Sequence, residues 1–278
     1  MRISAKNKIC LIIGDPVEHS LSPLMHNAGY EALNIDDKFI YLGARVDLKD
    51  IKAVVCAMRA MSLRGLTCTI PHKVKVMRYL DKIDKTASKI GAVNSIVNDK
   101  GILKGYNTDW IGVVKPLEKV TALKGKKAAV LGAGGASRAV VYGLLAKGSK
   151  VTIFNRTVGN AAKLANDFNC GFGDLKDEAA VSDNDIIVNA TAVGMAPNTE
   201  ASPISSQLIT NRHIVFDAVY IPYETKLLKK AKEKGATVIH GTEMLLHQGT
   251  AQFELYTGKP APVDVMRKVL LKNLGVKL

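Results

Sequence analysis

Ala129-Val130-Leu131-Gly132-Ala133-Gly134-Gly135-Ala136-Ser137-Arg138 is the stretch that decides how this chain is read. A short apolar run, Ala128 to Leu131, enters a glycine cluster, and the chain resumes as a helical segment from Ala139 to Ala146. Strand, glycine turn and helix in that order are the context of a dinucleotide-binding turn. Gly132 allows the tight turn, and Gly134 lets the backbone approach a pyrophosphate. The following helix points its free N–H groups and positive dipole end at that anion. Ser137 occupies the usual third glycine position and is small enough for close helix–strand packing. A bare structural turn is the competing reading, and the flanking strand and helix favour the nucleotide.

Cofactor choice is read at the end of the next strand, Lys150 to Asn155. An acidic residue there would bind the ribose 2′-hydroxyl of NAD. The chain instead carries Asn155-Arg156-Thr157. A guanidinium suits a 2′-phosphate, which it engages through several charge-assisted hydrogen bonds, so NADP is expected.

The 278 residues suit one large or two modest domains, and 47% hydrophobic residues supply a substantial core. The net charge of +14 raises nucleic acid as a partner. The lysines, however, are spread over helix surfaces, and no aromatic residues interleave with a basic stretch, so no nucleic-acid partner is expected. Cys10, Cys56, Cys68 and Cys170 form no Cys-x-x-Cys pair, which argues against a zinc site or a disulfide framework. The apolar run Ile9 to Ile13 is too short for a signal peptide, and no run approaches membrane-spanning length. A soluble, cytoplasmic protein with no metal is expected.

Taken in order, the chain alternates strands and helices, which implies parallel sheets with right-handed crossovers. Strands are expected at Lys8–Ile13, Phe39–Val46 and Gly65–Ile70, then a hairpin from Ser95 to Val97 and Ile102 to Lys104. Ser22 and Pro23 suit the N-cap and first turn of a helix to Leu33, so the spacing alone assigns Ser20 and Ser22 to capping. Asp47 is expected to cap a helix through Met61 with Ile51, Val54, Val55 and Met58 on its buried face. A short helix after Pro71 is expected to bury Val74, Met77 and Leu80. Lys73 opens that helix, where the dipole disfavours a cation unless something holds it. Gly105 to Asp109 reads as a polar turn before a helix that runs through Ile111, Val114 and Leu117, and a domain hinge is placed there. Later helices are expected from about Asn160 to Phe168, Glu224 to Lys234, Met244 to Thr257 and Pro262 to Asn273. Strands are expected at Asp185–Asn189, His213–Asp217 and Thr237–His240.

Several separated motifs together resemble the shikimate dehydrogenase family over nearly the whole length. They are Ser20-Leu21-Ser22-Pro23, Thr69-Ile70-Pro71-His72-Lys73, Gly91-Ala92-Val93-Asn94, Asn107-Thr108-Asp109 and the glycine turn, then Asn155-Arg156-Thr157, Asp217 with Tyr220, and Gln248 after Met244-Leu245-Leu246. The resemblance implies an α/β fold of two α/β domains. A substrate-binding domain would comprise residues 1–108 and 245–278, its C-terminal helices returning to it, and a Rossmann-like NADP-binding domain would comprise 109–244. It implies the reversible NADP-linked interconversion of 3-dehydroshikimate and shikimate. Lys73 and Asp109 would be the catalytic pair. Ser20 and Ser22 would hold the substrate carboxylate, Thr69, Asn94 and Gln248 the ring hydroxyls, and Tyr220 would also contact the substrate. Gly132, Ala133, Gly134, Gly135, Ala136, Asn155, Arg156, Thr157, Thr191 and Gly241 would bind the cofactor.

The chemistry of that pair is direct. Hydride delivered to a ketone carbon leaves an alkoxide, which needs a proton donor or positive charge; a lysine ammonium is both, and an aspartate orients and tunes it. The chain departs from the family at Thr67, where asparagine is usual, at Trp110, where glycine follows Asn-Thr-Asp, and at Asn160, where a second arginine is frequent; Lys163 is a substitute for the last. The rival readings are a quinate/shikimate dehydrogenase of relaxed substrate or NAD specificity and a non-catalytic dinucleotide-binding regulator. The paired serines and Arg156 argue against the first, and retention of Lys73 and Asp109 against the second. A monomer or homodimer is expected.

Overall fold

The computed structural model describes residues 3–277, which divide into two compact units, 3–108 with 248–277, and Asp109–His247. In the first, β1 (Lys8–Gly14), α1 (Ser22–Ala32), β2 (Phe39–Arg45), α2 (Ile51–Ala60) and β3 (Gly65–Cys68) form two parallel crossovers. They are followed by β4 (Lys82–Ile83), α3 (Lys85–Ile90) and the hairpin β5 (Ser95–Asp99) and β6 (Ile102–Tyr106). The sheet order is β2-β1-β3-β5-β6-β4, with β5 antiparallel to both β3 and β6. One core lies under α2, where Ile51, Val55 and Met58 pack with Ile13, Leu66 and Ile96.

The second unit contains α4 (Asp109–Glu118), β7 (Lys127–Leu131), α5 (Gly135–Ala146), β8 (Lys150–Asn155), α6 (Val158–Phe168), β9 (Gly171–Asp174), α7 (Glu178–Ser182) and β10 (Ile186–Asn189). After these come β11 (Ile214–Asp217), α8 (Lys226–Glu233) and β12 (Thr237–Ile239), then α9 (Gly241–Thr257) and α10 (Val263–Asn273). All six strands are parallel in the order β12-β11-β10-β7-β8-β9. The unit boundary falls within α9, and α10 packs on α1 in the first unit.

The strand β7 shows why this sheet is covered on both faces. Side chains alternate across a strand. Ala128 and Val130 join α4 and α5 in one core, whereas Ala129 and Leu131 join α8 in another. A strand buried on both faces reads as a continuous apolar run, as this one does.

Local differences from the sequence reading have identifiable causes. Ser22 is the first residue of α1, not its cap; Leu21 takes that place and no side chain caps the helix. The segment after Lys73 is a 3₁₀ turn, Lys75–Tyr79, which buries Val76 and leaves Val74 exposed. Three residues per turn shift the inward position away from the α-helical spacing. Asp47 precedes a 3₁₀ turn, Leu48–Asp50, that leads into α2. The second helix after the glycine turn starts two residues earlier than expected, at Val158, and α8 starts after a Thr225 cap. The short elements β4, β9 and α7 have no counterpart in the sequence reading.

Thr67 orders the middle of the first sheet. Its Oγ1 accepts from the Tyr41 hydroxyl at 2.6 Å and lies 2.8 Å from the Tyr256 hydroxyl, all three residues being buried. Tyr256 belongs to α9, so this bridge ties that helix to β2 and β3. Removing the hydroxyl leaves two buried phenols competing for partners, at about 1–3 kcal/mol for an unsatisfied group. Thr67→Val is therefore expected to lower unfolding free energy by about that amount, and Thr67→Ser to retain it, in urea titrations followed by circular dichroism.

Candidate active site

The loops that leave β1 and β3 lie where the first sheet changes its winding direction. β1 proceeds to β2 on one side, and β2 returns across it to β3 on the other. Ligands of open α/β sheets bind outside the carboxyl ends of strands at such a switch point. Ser20 and Ser22 follow β1; Thr69 and Lys73 follow β3. Ser20 Oγ accepts from the Ser22 N–H at 3.3 Å, which bends the loop into the start of α1. No N-cap side chain closes α1, but the Ser22 N–H is taken by Ser20 Oγ and Pro23 has none, so Leu24 is the remaining first-turn residue with an N–H beside the two serines. The capping reading is corrected for Ser22, which lies inside α1, whereas Ser20 Oγ does hold an N–H of its first residue.

Lys73 is held by its backbone as well as its neighbours. The Val93 N–H donates to the Lys73 carbonyl at 2.8 Å, and the buried His72 ring makes a 2.8 Å bond to the Val46 carbonyl. The adjacent Cys68 thiol is pushed up to about 12 by burial, with the Lys73 charge pulling it down, so it stays neutral and unreactive.

Asn94 joins three segments of the first unit. Its Oδ1 accepts from the Thr108 N–H at 2.9 Å and from Ser95 Oγ at 2.8 Å. Its Nδ2 donates to Thr108 Oγ1 at 3.0 Å and reaches Gln248 Oε1 at 3.5 Å. The convergence of donors on Oδ1 fixes which way the amide faces. Asn94, Thr108 and Gln248 are thus brought together, and all three are buried. Asn107 Nδ2 secures the same turn by donating to the Ala92 carbonyl at 2.9 Å.

In the second unit the switch point lies between β7 and β10. Gly132 follows β7 with φ +105°, a conformation only glycine adopts readily, and a Cβ there would meet Thr191 Cγ2 at 2.8 Å. Gly134 precedes α5, and a Cβ there would meet no protein atom within 4 Å. Glycine at that position leaves an open cradle beside the uncapped helix start, which fits a pyrophosphate. Ser137 Oγ accepts from the Gly134 N–H at 3.2 Å and holds the turn. Ala133, Gly135 and Ala136 complete it. Asn155 Nδ2 donates to the Thr157 carbonyl at 2.9 Å, shaping the turn into α6, whose N-terminus has no side-chain cap either. Arg156 and Lys163 are exposed, and Arg156 has no ion-pair partner among the described residues. These residues fit a 2′-phosphorylated dinucleotide.

Asp109 is the first residue of α4 and is buried. Trp110 packs edge-on against Tyr142 of α5 with ring centroids 6.0 Å apart, so it serves the packing of its own unit. Tyr220 lies after β11, and burial raises its phenol above the ordinary value. Gly241 starts α9 tightly against the Val219 carbonyl, where a Cβ would collide with backbone.

Three family descriptions match the chain: shikimate dehydrogenase substrate binding domain over residues 12–96, shikimate/quinate 5-dehydrogenase over 116–218, and shikimate 5′-dehydrogenase C-terminal domain over 241–271. An NADP(+) shikimate dehydrogenase of Methanosphaera stadtmanae is 44% identical, covering 98% of this chain and 99% of its own. The chain belongs to the shikimate dehydrogenase family. Among solved structures, a shikimate dehydrogenase in complex with NADP+ superposes with a TM-score of 0.92 at 38% identity, covering 98% of both chains. That of Thermus thermophilus, in complex with NADP(H) and shikimate, gives 0.88 at 35%, covering 95% of this chain and 98% of its own.

Within the family frame, sequence reasoning overlooked the residues that hold the site rather than line it: His72 on Val46, Ser95 on Asn94, and Asn189 beneath Thr191. Spacing gives no signal for any of them: Val46 is remote from His72 in sequence, and the Ser95–Asn94 and Asn189–Thr191 bonds join near neighbours whose side chains meet only in the folded turn. His26 is a fourth. It is fully buried, its Nδ1 lies 2.9 Å from the Ser22 carbonyl, and its ring stacks on Tyr41 at 4.2 Å. Desolvation holds its pKa down to about 4. The unfolded chain therefore binds a proton between about pH 6.5 and 4 that the folded chain does not, and stability falls as pH drops through that window. The contribution is about 3 kcal/mol at full protonation of the unfolded state. In His26→Gln the pH dependence of unfolding free energy between pH 6.5 and 4 is expected to be shallower by about one proton, read from urea titrations at stepped pH.

Proposed function

We propose that this chain is an NADP-dependent shikimate dehydrogenase that interconverts 3-dehydroshikimate and shikimate, a step of aromatic amino acid biosynthesis. The full-length identity to relatives of that name carries the reading, and the site residues supply the chemistry it needs. Ser20 and Ser22 hold the substrate carboxylate. Thr69, Asn94 and Gln248 bond the ring hydroxyls, with Asn94 oriented by Ser95 and Thr108, and Tyr220 contacts the substrate. Gly132 to Ala136 cradle the pyrophosphate, Asn155, Arg156 and Thr157 take the 2′-phosphorylated ribose, and Thr191 and Gly241 line the remaining cofactor surface. NADPH, when bound, supplies the hydride.

Lys73 stabilises and protonates the oxygen that becomes an alkoxide on reduction, and in the reverse direction it takes up the hydroxyl proton. Asp109 orients the ammonium and tunes its proton affinity. The residues 1–108 with 245–278 form the substrate-binding domain and 109–244 the NADP-binding domain in this reading. Asn160, exposed on α6 in place of a second arginine, favours some use of NAD+ as a second reading. No helix among the described residues is long and apolar enough to cross a membrane. Cytoplasmic placement and a monomeric or homodimeric state belong to the same proposal.

Lys73→Ala is expected to lower kcat for shikimate oxidation by about 10²–10⁴-fold with a smaller change in KM, since the group acts in the transition state. A near-normal kcat removes Lys73 from the chemistry. Arg156→Ala is expected to raise KM for NADP+ at least about tenfold more than KM for NAD+; equal effects in initial-rate assays mean that Arg156 does not read the 2′-phosphate.

A further inference from the structure

Asp217 and Asn189 are register partners at the last positions of β11 and β10, and neither is exposed to solvent. Three donors converge on the Asp217 carboxylate. Thr225 Oγ1 donates to Oδ2 at 2.6 Å, Asn189 Nδ2 to Oδ1 at 2.9 Å, and the Val219 N–H to Oδ1 at 3.0 Å. Asn189 passes the constraint on. Its Oδ1 accepts from the Thr191 hydroxyl at 2.7 Å and the Thr191 N–H at 3.1 Å, and its Nδ2 also reaches the Val193 carbonyl at 3.2 Å. Thr191 Oγ1 in turn accepts from the Val193 N–H at 3.1 Å, while the Thr191 methyl lies against Gly132. Thr225 meanwhile caps α8.

One buried carboxylate therefore governs the turn after β10, the turn after β11 and the start of α8, and through Thr191 it abuts the glycine turn after β7. A carboxylate only accepts, so it can serve three donors at once where an amide cannot. Burying that charge is unfavourable, and desolvation lifts its pKa to about 6 despite the three donors. Apolar packing of the same volume is commonly neutral or stabilising in such a place. None of the bonds made by Asp217 leads into the apolar core; each leads to a segment at the carboxyl ends of the strands.

We propose that Asp217 is a positioning residue of the reaction, holding Thr191 through Asn189, and Tyr220 through the Val219 amide, where they meet cofactor and substrate. This rests on the functional reading above. Its test uses Asp217→Asn, which keeps the shape and removes the charge and one acceptor, together with Asn189→Ala and the double variant. Calorimetric titration with NADP+ counts binding sites and gives Kd, and initial rates with shikimate and NADP+ are expressed per binding site.

The expected result is a fall in kcat per site of about 10–100-fold in each single variant, the cost of misplacing reacting groups by about an ångström. Kd for NADP+ changes less, because Arg156 and the glycine turn are intact, and the double variant is no slower than the slower single one. Unchanged kcat per site in both single variants overturns the proposal, as it reduces Asp217 to a structural stitch whose loss lowers only thermal stability or the number of sites. Additive losses in the double variant also overturn it. If Asp217→Asn fails to fold, Asn189→Ala alone decides by the same rate per site. A wild-type protein that binds NADP+ yet fails to oxidise shikimate overturns the functional reading, and this proposal with it, before any variant is compared.

Discussion

A parallel sheet that reverses its winding direction sends two neighbouring loops apart at its carboxyl edge, and nothing in the backbone ladder fills the space between them. Both sheets here meet that constraint, at β1/β3 and at β7/β10. Most loops on which the proposed chemistry depends begin there or one strand away; those leading to Asp109 and Gly241 follow β6 and β12, two strands out. Strand ends fix where each loop starts to within a residue, since register is locked by side chains that alternate between two buried faces. The loops need only a few side-chain bonds to finish the job: His72 to Val46, Asn155 to Thr157, Ser20 to Ser22.

The two switch points are furnished for different anions by different means. Around the first, two serines flank a helix start whose first N–H is held by Ser20 Oγ and whose second residue is proline. Around the second, glycines leave a cradle before α5, and an arginine precedes a second uncapped helix, α6. An uncapped helix start presents unsatisfied N–H groups, which a globular protein rarely leaves unused. A pyrophosphate and a 2′-phosphate are anions that such ends accommodate, and the net charge of +14 adds a favourable long-range field for them and for a substrate carboxylate.

What the sequence made legible was the part governed by local rules. Glycine at positions 132 and 134 required a turn, and the run before it required a doubly buried strand. The spacing of Ile51, Val55 and Met58 marked the inward face of α2. Local rules failed where geometry departed from them. The 3₁₀ turn after Lys73 buries Val76, which an α-helical reading leaves outside. β9 has the sequence Gly171-Phe172-Gly173-Asp174, which shows neither apolar alternation nor a β-branched run, and it forms because β8 offers an edge to pair with. Ser22 looked like a cap because it precedes proline, yet proline also suits the positions just inside a helix. Candidate site residues came from whole motifs through resemblance, and Asp217 was among the residues quoted. The bonds that hold them were not legible, because the Asn189–Asp217 pair is created by strand register across 28 positions of sequence, and the Thr67 bridge by a helix 189 positions away.

The proposed function requires that the two sites serve one reaction with one preferred pair of ligands. The most direct test is to measure initial rates of cofactor reduction by absorbance with NADP+ or NAD+, each with shikimate or quinate as the hydride donor. The account predicts that shikimate with NADP+ gives a kcat/KM exceeding each of the other three combinations by at least about tenfold, a difference of some 1.4 kcal/mol in transition-state stabilisation. Turnover that is equal or faster with quinate or with NAD+, or no turnover at all in a protein that binds NADP+, contradicts it.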